Sequence, residues 1–380
     1  MVFSLAACGG GSSETPAPET TTPAETAPAE TASATDMKVA MITDYGDITD
    51  QSFNQTTYEA CNEFCTANSV EFTYYKPAGD STAERVAMVD AAVAEGYNVV
   101  VMPGYAFAET IKETAEMYPD VTFIALDVGE GDLGADYTVP SNVYCAVYQE
   151  ELCGYMAGYA AVKLGYTHLG FLGGMAVPAV QRYGYGFVQG ADAAAAELGN
   201  GADVTVEYVY GNQFFGDADI TAYMDNWYQT QGVEVVFACG GGIYTSAAEA
   251  AAKVGGKVIG VDVDQAAIID AYGEGMTVTS AMKGLANTTK HLLQETMDGN
   301  FANYGGQIET LGLVSGDDPT ANYVQLPMES TQWSDTFTQD NYKALVAGMY
   351  DGTITVSNDV SVAAADYATV ITVNEYGNIK

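Results

Sequence analysis

The sequence has few basic residues and only two histidines, and both shortages restrict what the protein can do. Lys and Arg together number 12 against 50 Asp and Glu, so the formal net charge is -38. A surface of that sign repels nucleic acid and anionic lipid, which leaves neutral or weakly charged small molecules, or proteins, as partners. His168 and His291 are not beside a serine or cysteine nucleophile pattern. Hydrolases that need a histidine base are therefore disfavoured.

Metal-ligand spacing and membrane-spanning runs are also missing. Cys61 and Cys65 lie in one predicted helix, Cys145 and Cys153 are widely spaced, and none of them has a histidine beside it. Because this spacing gives no zinc pair, we expect no metal and no cofactor, and we interpret these residues and Cys239 as buried small side chains or free thiols. No internal stretch is long and apolar enough to cross a bilayer.

The first residues indicate a lipid anchor. Residues 5–8 read Leu-Ala-Ala-Cys, which matches the lipobox of bacterial lipoproteins, although such a sequence also arises by chance. Residues 9–36 contain no lysine, arginine or aromatic residue, so we predict a disordered tether. We interpret residues 1–8 as the remnant of a lipoprotein signal whose true start lies upstream. Lipidation of Cys8 would hold the protein at the extracytoplasmic face of the cell membrane, with no other membrane contact.

From Lys38 onward, short apolar strands alternate with amphipathic helices. Residues 98–103 and 122–127 are predicted strands with continuously apolar interiors, as expected of strands covered on both faces of a parallel sheet. The alternation restarts after residue 149, and 380 residues are enough for two separate cores. The sequence therefore predicts an α/β fold of two lobes, each a parallel sheet flanked by helices, with a cleft between them.

The lobes are expected to exchange chain segments. We assign residues 37–142 and about 266–310 to the amino-terminal lobe. The carboxy-terminal lobe is predicted to contain residues 143–265 and about 311–356, with a last strand at residues 354–356. Residues 357–380 are interpreted as a tail.

Polar residues follow several of the predicted strands. Asp262 ends one β-branched, apolar run, and Lys283 ends the next. In open α/β folds ligands bind outside the carboxyl ends of parallel strands, so both side chains are placed to meet a polar ligand. Asp44 follows the first strand and precedes Phe53 and Asn54, an acid, an aromatic and an amide at a helix start. That combination suits a nucleobase, although turn and core roles explain the same residues.

Several stretches in order resemble the basic membrane protein family, lipid-anchored solute receptors of ABC importers that include a purine nucleoside receptor. The resemblance covers roughly residues 37–356, and it implies a type I periplasmic-binding-protein fold. The stretches that carry it are residues 44–54, 148–161, 169–175 with Gly186 and Phe187, 259–265, 279–283 and 311–313.

The resemblance also implies roles for individual residues. It implies that Phe53 and an aromatic of the Phe214-Phe215 pair stack on the base, and the pair leaves open which of the two does so. The triple glycine after Cys239 likewise leaves open which glycine contacts the ligand. The residues implied to contact base edges are Asp44, Asn54 and Asp127, and those implied to hold ribose hydroxyls are Gly240, Gly241, Gly242, Asp262 and Lys283.

These observations favour a non-enzymatic, monomeric binding protein that delivers a nucleoside, with a purine expected, to the permease subunits of an ABC importer. One alternative is a nucleoside-processing enzyme on the same scaffold, but the first strand is not followed by Gly-x-Gly-x-x-Gly. Another is a sugar, autoinducer or flavin receptor of the same fold.

Overall fold

The computed structural model describes residues 36–380, which belong to one compact unit of the chain. Cys8 and the tether predicted for residues 9–36 lie outside the described residues, apart from Asp36. Within the described range, no helix combines the length and the apolar character needed to cross a membrane. The described cysteines, Cys61, Cys65, Cys145, Cys153 and Cys239, are all free and buried, which confirms their interpretation.

Strands and helices alternate along the chain as the sequence predicts. In chain order the strands are β1 (Lys38–Ile42), β2 (Glu71–Tyr75), β3 (Val99–Pro103), β4 (Thr122–Leu126), β5 (Val143–Tyr148), β6 (His168–Gly173), β7 (Thr205–Tyr210), β8 (Val235–Cys239), β9 (Lys257–Asp262), β10 (Thr277–Lys283), β11 (Gln307–Leu311), β12 (Val324–Gln325) and β13 (Thr372–Asn378). The α-helices are α1 (Phe53–Asn68), α2 (Thr82–Ala94), α3 (Ala108–Thr114), α4 (Glu130–Leu133), α5 (Glu150–Lys163), α6 (Pro178–Leu198), α7 (Ala218–Asn226), α8 (Tyr244–Ala252), α9 (Ala266–Ile269), α10 (Leu285–Met297) and α11 (Gln339–Tyr350).

The first lobe is built on a parallel sheet in the order β11-β5-β4-β3-β1-β2. Its central strands β3 and β4 are buried along their whole length, because helices cover both faces. Helices α1 and α10 pack together on one side, and α2, α3 and α4 lie on the other. The apolar runs of the sequence thus become the core of a doubly covered sheet.

The second lobe has a larger sheet in the order β12-β10-β9-β8-β6-β7-β13. All of its pairings are parallel except that of the two-residue strand β12 with β10. Helices α5, α6 and α11 form one layer, whereas α7 and α8 pack together elsewhere on the lobe. The two sheets confirm the predicted α/β class with parallel sheets flanked by helices.

Helices α5 and α6 touch through glycines, which brings their backbones unusually close. A Cβ atom on Gly154 or Gly158 of α5 would lie 2.0 or 2.1 Å from a carbonyl oxygen of α6. On α6, a Cβ atom on Gly186 or Gly190 would lie 2.0 Å from a carbonyl oxygen of α5. Since real Cβ atoms do not approach this closely, the crossing depends on glycine at all of these positions.

Strand pairing places the lobe boundaries differently from the sequence prediction. β5 pairs with β4 and β11, so the first lobe extends beyond residue 142 to Tyr148. β9 pairs with β10, so the second lobe extends beyond residue 265 to Lys283. A buried strand has the same apolar pattern in either sheet, and its partner is therefore not visible in the sequence.

The carboxy-terminal residues also differ from the prediction. Residues 354–356 are not a strand, although their composition is β-like. The last strand is β13, which joins the edge of the second sheet beside β7. The segment assigned as a tail is thus part of the second lobe, and its polar edge strand carries little apolar pattern.

Three crossings join the lobes, and hydrogen bonds link them. The backbone N-H of Gln149, after β5, donates to the carbonyl of Leu311 at 2.9 Å. The N-H of Gly284 donates to the carbonyl of Tyr323 at 2.7 Å, and Tyr323 in turn donates to Gly312 at 3.0 Å. The crossing predicted near residue 265 therefore occurs after Lys283. Several adjacent crossings are the arrangement that hinge closure of two lobes requires.

Candidate functional site

A cavity of about 880 Å³ lies at the carboxyl ends of strands from both sheets. This is the place where α/β sheets bind ligands, and the volume falls in the range of small-molecule sites. The structure brings every ligand-binding residue predicted from the sequence to the wall of this one cavity. Those residues are Asp44, Phe53, Asn54, Asp127, Phe214, Phe215, Gly240, Gly241, Gly242, Asp262 and Lys283. Their contact with a ligand stays a prediction.

Backbone geometry fixes the first-lobe end of the cavity. The Oδ1 atom of Asp44 accepts hydrogen bonds from the N-H groups of Tyr45 and Gly46, each at 2.6 Å. Asp50 accepts from the N-H of Asn54 at 3.0 Å and from its side-chain Nδ2 at 3.2 Å. A Cβ atom on Gly46 would lie 2.3 Å from that Nδ2, so glycine is needed for the amide to approach the turn.

The side-chain oxygen atoms of Asn54 and Asp44 differ in whether they have hydrogen-bond partners within the protein. The Oδ1 atom of Asn54 is buried and has no hydrogen-bond partner within residues 36–380. Burial raises the pKa of Asp44 above its ordinary value, although its bonds to the turn oppose that rise. A buried acceptor without a partner is energetically unfavourable, so this end of the cavity is suited to a ligand that donates hydrogen bonds.

Lys283 lies among three carboxylates at the centre of the cleft. Its Nζ atom is 2.6 Å from Asp127 Oδ2, 3.4 Å from Glu150 Oε1 and 3.8 Å from Asp262 Oδ1. The Lys283 side chain is only 3% exposed. Asp127 and Lys283 come from different lobes, so their ion pair also crosses the cleft.

Burial and ion pairing act in opposite directions on this cluster. Burial alone lowers the pKa of Lys283, but Asp127, Glu150 and Asp262 outweigh that effect and leave the pKa raised, so the ammonium stays charged. Burial raises the pKa values of Asp127 and Asp262, although Lys283 opposes both rises. Burying these charges is tolerable because each one has an opposite charge beside it.

Three aromatic rings surround the ammonium. Its nitrogen lies 4.8 Å from the ring centroid of Phe53, 5.4 Å from that of Tyr148 and 5.7 Å from that of Tyr183. These distances are within cation-π range and restrict where the lysine side chain can lie. Phe53 therefore has one face near Lys283 while it lines the cavity.

Glu150 and Arg182 are site residues that the sequence reasoning did not single out. Glu150, the first residue of α5, is fully buried, and its Oε2 atom accepts from Arg182 Nε at 2.7 Å. Burial lowers the pKa of Arg182, but Glu150 outweighs this effect and leaves it raised. A glutamate directly after a buried strand follows the same pattern as Asp44 and was the available signal.

Two aspartates of the cluster have a rare backbone conformation. Asp127 has φ 59° and Asp262 has φ 65°, both in the left-handed region that non-glycine residues seldom adopt. Each comes at the end of a central strand, where this conformation directs the following chain away from the sheet. Such positions cluster at functional sites and persist only when the surrounding structure enforces them.

Polar side chains bridge the two lobes across the cavity. Ser52 Oγ, just before α1, donates to Asp262 Oδ2 at 2.5 Å, and Gln265 Nε2 donates to the carbonyl of Gln51 at 3.0 Å. Tyr45 OH also lies 3.3 Å from the sulfur of Met175. The described conformation is thus one in which the lobes touch at the cleft.

The paired phenylalanines have different surroundings. Phe214 is half-buried, and a Cβ atom on Gly174 or Gly240 would lie 2.3 or 2.9 Å from its ring. Phe215 is 56% exposed. The glycines permit the ring of Phe214 to approach the backbone at the strand ends closely, whereas Phe215 is largely in solvent. This geometry favours Phe214 as the residue that stacks on a planar ligand.

The lining of the cavity resembles that of small-molecule binding sites. Within residues 36–380, no group of His, Cys, Asp and Glu could hold a metal ion. The carboxylates near the centre are engaged by Lys283, Arg182 and Ser52. What remains is an apolar and aromatic wall with polar groups at fixed positions, which is the usual construction of a small-molecule site.

The chain is similar to known substrate-binding proteins of ABC transporters. The Bmp family model, described as "ABC transporter substrate-binding protein PnrA-like", matches residues 37–318. The ABC transporter nucleoside-binding protein BmpA of Lactococcus lactis subsp. cremoris is 28% identical over 300 residues, covering 74% of this chain and 80% of that protein.

Solved structures share the fold. A solute-binding protein of an ABC transporter system from Conexibacter woesei has a TM-score of 0.64 at 22% identity, covering 85% of this chain and 99% of its own. One from Aeropyrum pernix K1 has a TM-score of 0.63 at 21% identity, covering 84% and 87%.

Proposed function

Because this chain belongs to the Bmp family of PnrA-like ABC transporter substrate-binding proteins, we propose that it binds a nucleoside in the interlobe cavity and delivers it to a permease. The supporting observation is that the cavity combines two kinds of groups. The aromatic rings of Phe53 and Phe214 and the unpartnered acceptor of Asn54 line it together with the charged cluster around Lys283. A nucleoside has a planar, hydrogen-bonding base and a hydroxyl-rich sugar, which match these two kinds of groups.

In this proposal Phe53 and Phe214 contact the faces of the base, and Asp44, Asn54 and Asp127 bind its edges. Asp262 accepts hydrogen bonds from sugar hydroxyls and Lys283 donates to them, as carboxylates and ammonium groups can. Glycines 240–242 allow the backbone to approach the sugar. An N-H donor on the base edge would satisfy the buried acceptor of Asn54, and we propose a purine as the base because the relatives' family is described as PnrA-like.

Delivery uses closure of the lobes around the ligand. Contacts such as that of Ser52 with Asp262 hold the lobes together, and the linked crossings form the hinge. We further propose that Cys8 is acylated and holds the protein at the extracytoplasmic face of the membrane, where a monomer presents its ligand to the permease. Expression in a bacterial host behind a complete lipoprotein signal sequence, with and without a Cys8→Ala change, tests the anchor. The variant should leave the membrane fraction, and its retention there would contradict the anchor.

The binding proposal is tested with purified protein and inosine. We expect binding by calorimetry, a rise in the unfolding temperature, and recovery of unchanged inosine. Release of hypoxanthine would instead identify a nucleoside-processing enzyme. Absence of binding for inosine, guanosine and adenosine, together with binding of a sugar or a flavin, would contradict the nucleoside proposal.

A further inference from the structure

The cavity has a wall from a part of the chain beyond the family match, which ends at residue 318. Val360 lines the cavity, although the sequence reasoning placed it in a tail. It belongs to residues 357–363, named here the wall segment. Val360 is half-buried and packs against the main hydrophobic core.

Side-chain hydrogen bonds hold the wall segment at its start. Gln189 of α6 donates from Nε2 to the carbonyl of Ser357 at 2.9 Å and accepts from the N-H of Ser357 at Oε1, also at 2.9 Å. Tyr367 OH donates to the carbonyl of Asp359 at 2.7 Å, and its ring lies 5.8 Å from that of Tyr185. The segment is therefore fixed to α6 just before Val360.

The chain is fixed again after the wall segment. Asp192 of α6 accepts from the N-H groups of Thr369 and Val370, each at 2.8 Å, and from the hydroxyl of Thr369 at 2.6 Å. Strand β13 then pairs with β7. With attachments on both sides, Val360 is a built part of the cavity wall.

Helix periodicity shows which end of the cavity Val360 borders. Pro178, Arg182, Tyr185 and Gln189 are spaced by three or four residues and so share one face of α6. Gln189 holds the wall segment, whereas Pro178 and Arg182 line the cavity with Val360. Arg182 binds Glu150, which contacts Lys283, so this wall adjoins the charged end of the cavity.

We propose that Val360 is a specificity-determining residue that limits the size of groups attached to the sugar of the ligand. This inference rests on the proposed function, in which Lys283 and Asp262 hold the sugar. In that arrangement a hydrophobic side chain on the wall beside Arg182 is placed to meet a substituent on the sugar that Lys283 holds. One methylene group in such a pocket changes selectivity by about 10-fold or more.

The test compares calorimetric affinities of the full chain for inosine and for 5′-O-benzylinosine. In Val360→Trp we expect the ether to lose at least about 10-fold more affinity than inosine does. In Val360→Ala we expect a gain for the ether relative to inosine. Val362→Trp is the matched control, because Val362 is nearby and 38% exposed but does not line the cavity.

The measurements distinguish failure of the Val360 inference from failure of the proposed nucleoside binding. If the wild-type chain binds inosine and the affinity ratio of the two compounds is the same in wild type and both Val360 variants, the inference is overturned and the proposed function stands. An equal change in Val362→Trp would also overturn it. If the wild type binds no nucleoside, the proposed function fails and this inference fails with it. Inosine affinity in each variant reports whether the site is still folded.

Discussion

Around Lys283 each buried carboxylate has the ammonium nearby, whereas the buried Oδ1 atom of Asn54 and the buried Oε2 atom of Glu151 have no hydrogen-bond partner in the described part of the chain. Within the cluster, Asp127 binds Lys283 through Oδ2 only, and its Oδ1 atom is likewise unpartnered. Glu150 and Glu151 are adjacent in the chain. Glu150 contacts Arg182 and Lys283, but Glu151 has an unpartnered Oε2 atom. We infer that the ion-paired side chains contribute to stability as well as to the proposed ligand site. A buried oxygen atom without a partner either lowers stability or is available to a ligand.

The largest expected effect comes from removing the shared cation. Lys283→Met leaves three buried carboxylates without their ammonium, so we expect the free energy of unfolding to fall by about 3 to 5 kcal/mol and nucleoside binding to be lost. Chemical denaturation and calorimetry measure the two effects. Lys290→Met is the control, because Lys290 forms an exposed pair with Glu63 and should change stability by about 1 kcal/mol or less. Equal losses of stability and binding in both variants would show that the buried cluster around Lys283 contributes no more than an exposed ion pair does.

A second change separates the sugar end from the base end. Asp262→Ala removes a charge-assisted acceptor in a closed cleft, and we expect guanosine binding to weaken by about 2 to 4 kcal/mol, roughly 30-fold to 1000-fold. Guanine has no ribose and should lose far less. Calorimetry with both compounds measures this, and exposed Asp264 provides Asp264→Ala as a nearby control. Similar losses for nucleoside and base would place the sugar contact elsewhere.

The converse pattern is expected for an unpaired acceptor. Asn54→Ala removes the buried Oδ1 atom, so guanosine and guanine should lose affinity equally, by about 1 to 3 kcal/mol. The variant also loses the Nδ2 hydrogen bond to Asp50, so the free energy of unfolding should fall as well, and affinity must be measured where the variant is fully folded. The same calorimetric titrations, with denaturation alongside, measure both. A loss confined to guanosine would contradict the assignment of Asn54 to the base.

The smallest effect concerns Glu151 and depends on pH. Burial raises its pKa from an ordinary 4.5 to about 7. A raised carboxyl pKa gives stability that is complete below the unfolded value and is lost as pH rises through the folded value. Glu151→Gln should therefore gain unfolding temperature relative to wild type between pH 5 and pH 8, as measured by thermal denaturation. Glu274→Gln, at an exposed position, should show no such trend, and a flat difference for Glu151→Gln would refute the unpaired charge.

The sequence predicts the strand ends well because they are local features. Asp44, Asp127 and Asp262 each follow a continuously apolar run, and the fold brings such ends together by topology. Glu150 and Arg182 were missed because their ion pair joins residues 32 positions apart on consecutive helices, which no local pattern reveals. An apolar pattern identifies a buried strand but not its neighbours, so β5 and β10 were assigned to the wrong sheets.

The carboxy-terminal error has a different cause. Strand β13 reads Thr-Val-Asn-Glu-Tyr-Gly-Asn and is mostly exposed, so it lacks the pattern that identifies a core strand. Its position depends on long-range bonds, above all those of Asp192, which no local window contains. Residues 354–356 have the composition of a strand but no pairing partner is available to them in the described fold.

The glycine contacts between α5 and α6 set unequal tolerances to mutation along the chain. At Gly154, Gly158, Gly186 and Gly190 even a methyl group would push the helices apart, and that displacement would separate Glu150 from Arg182 at the ends of the same helices. Gly165, just beyond α5, has open space around it, although its positive φ still favours glycine. These glycines do not line the cavity. Replacing one of them with a larger residue is nevertheless expected to change ligand affinity, because it would change the spacing of the two helices.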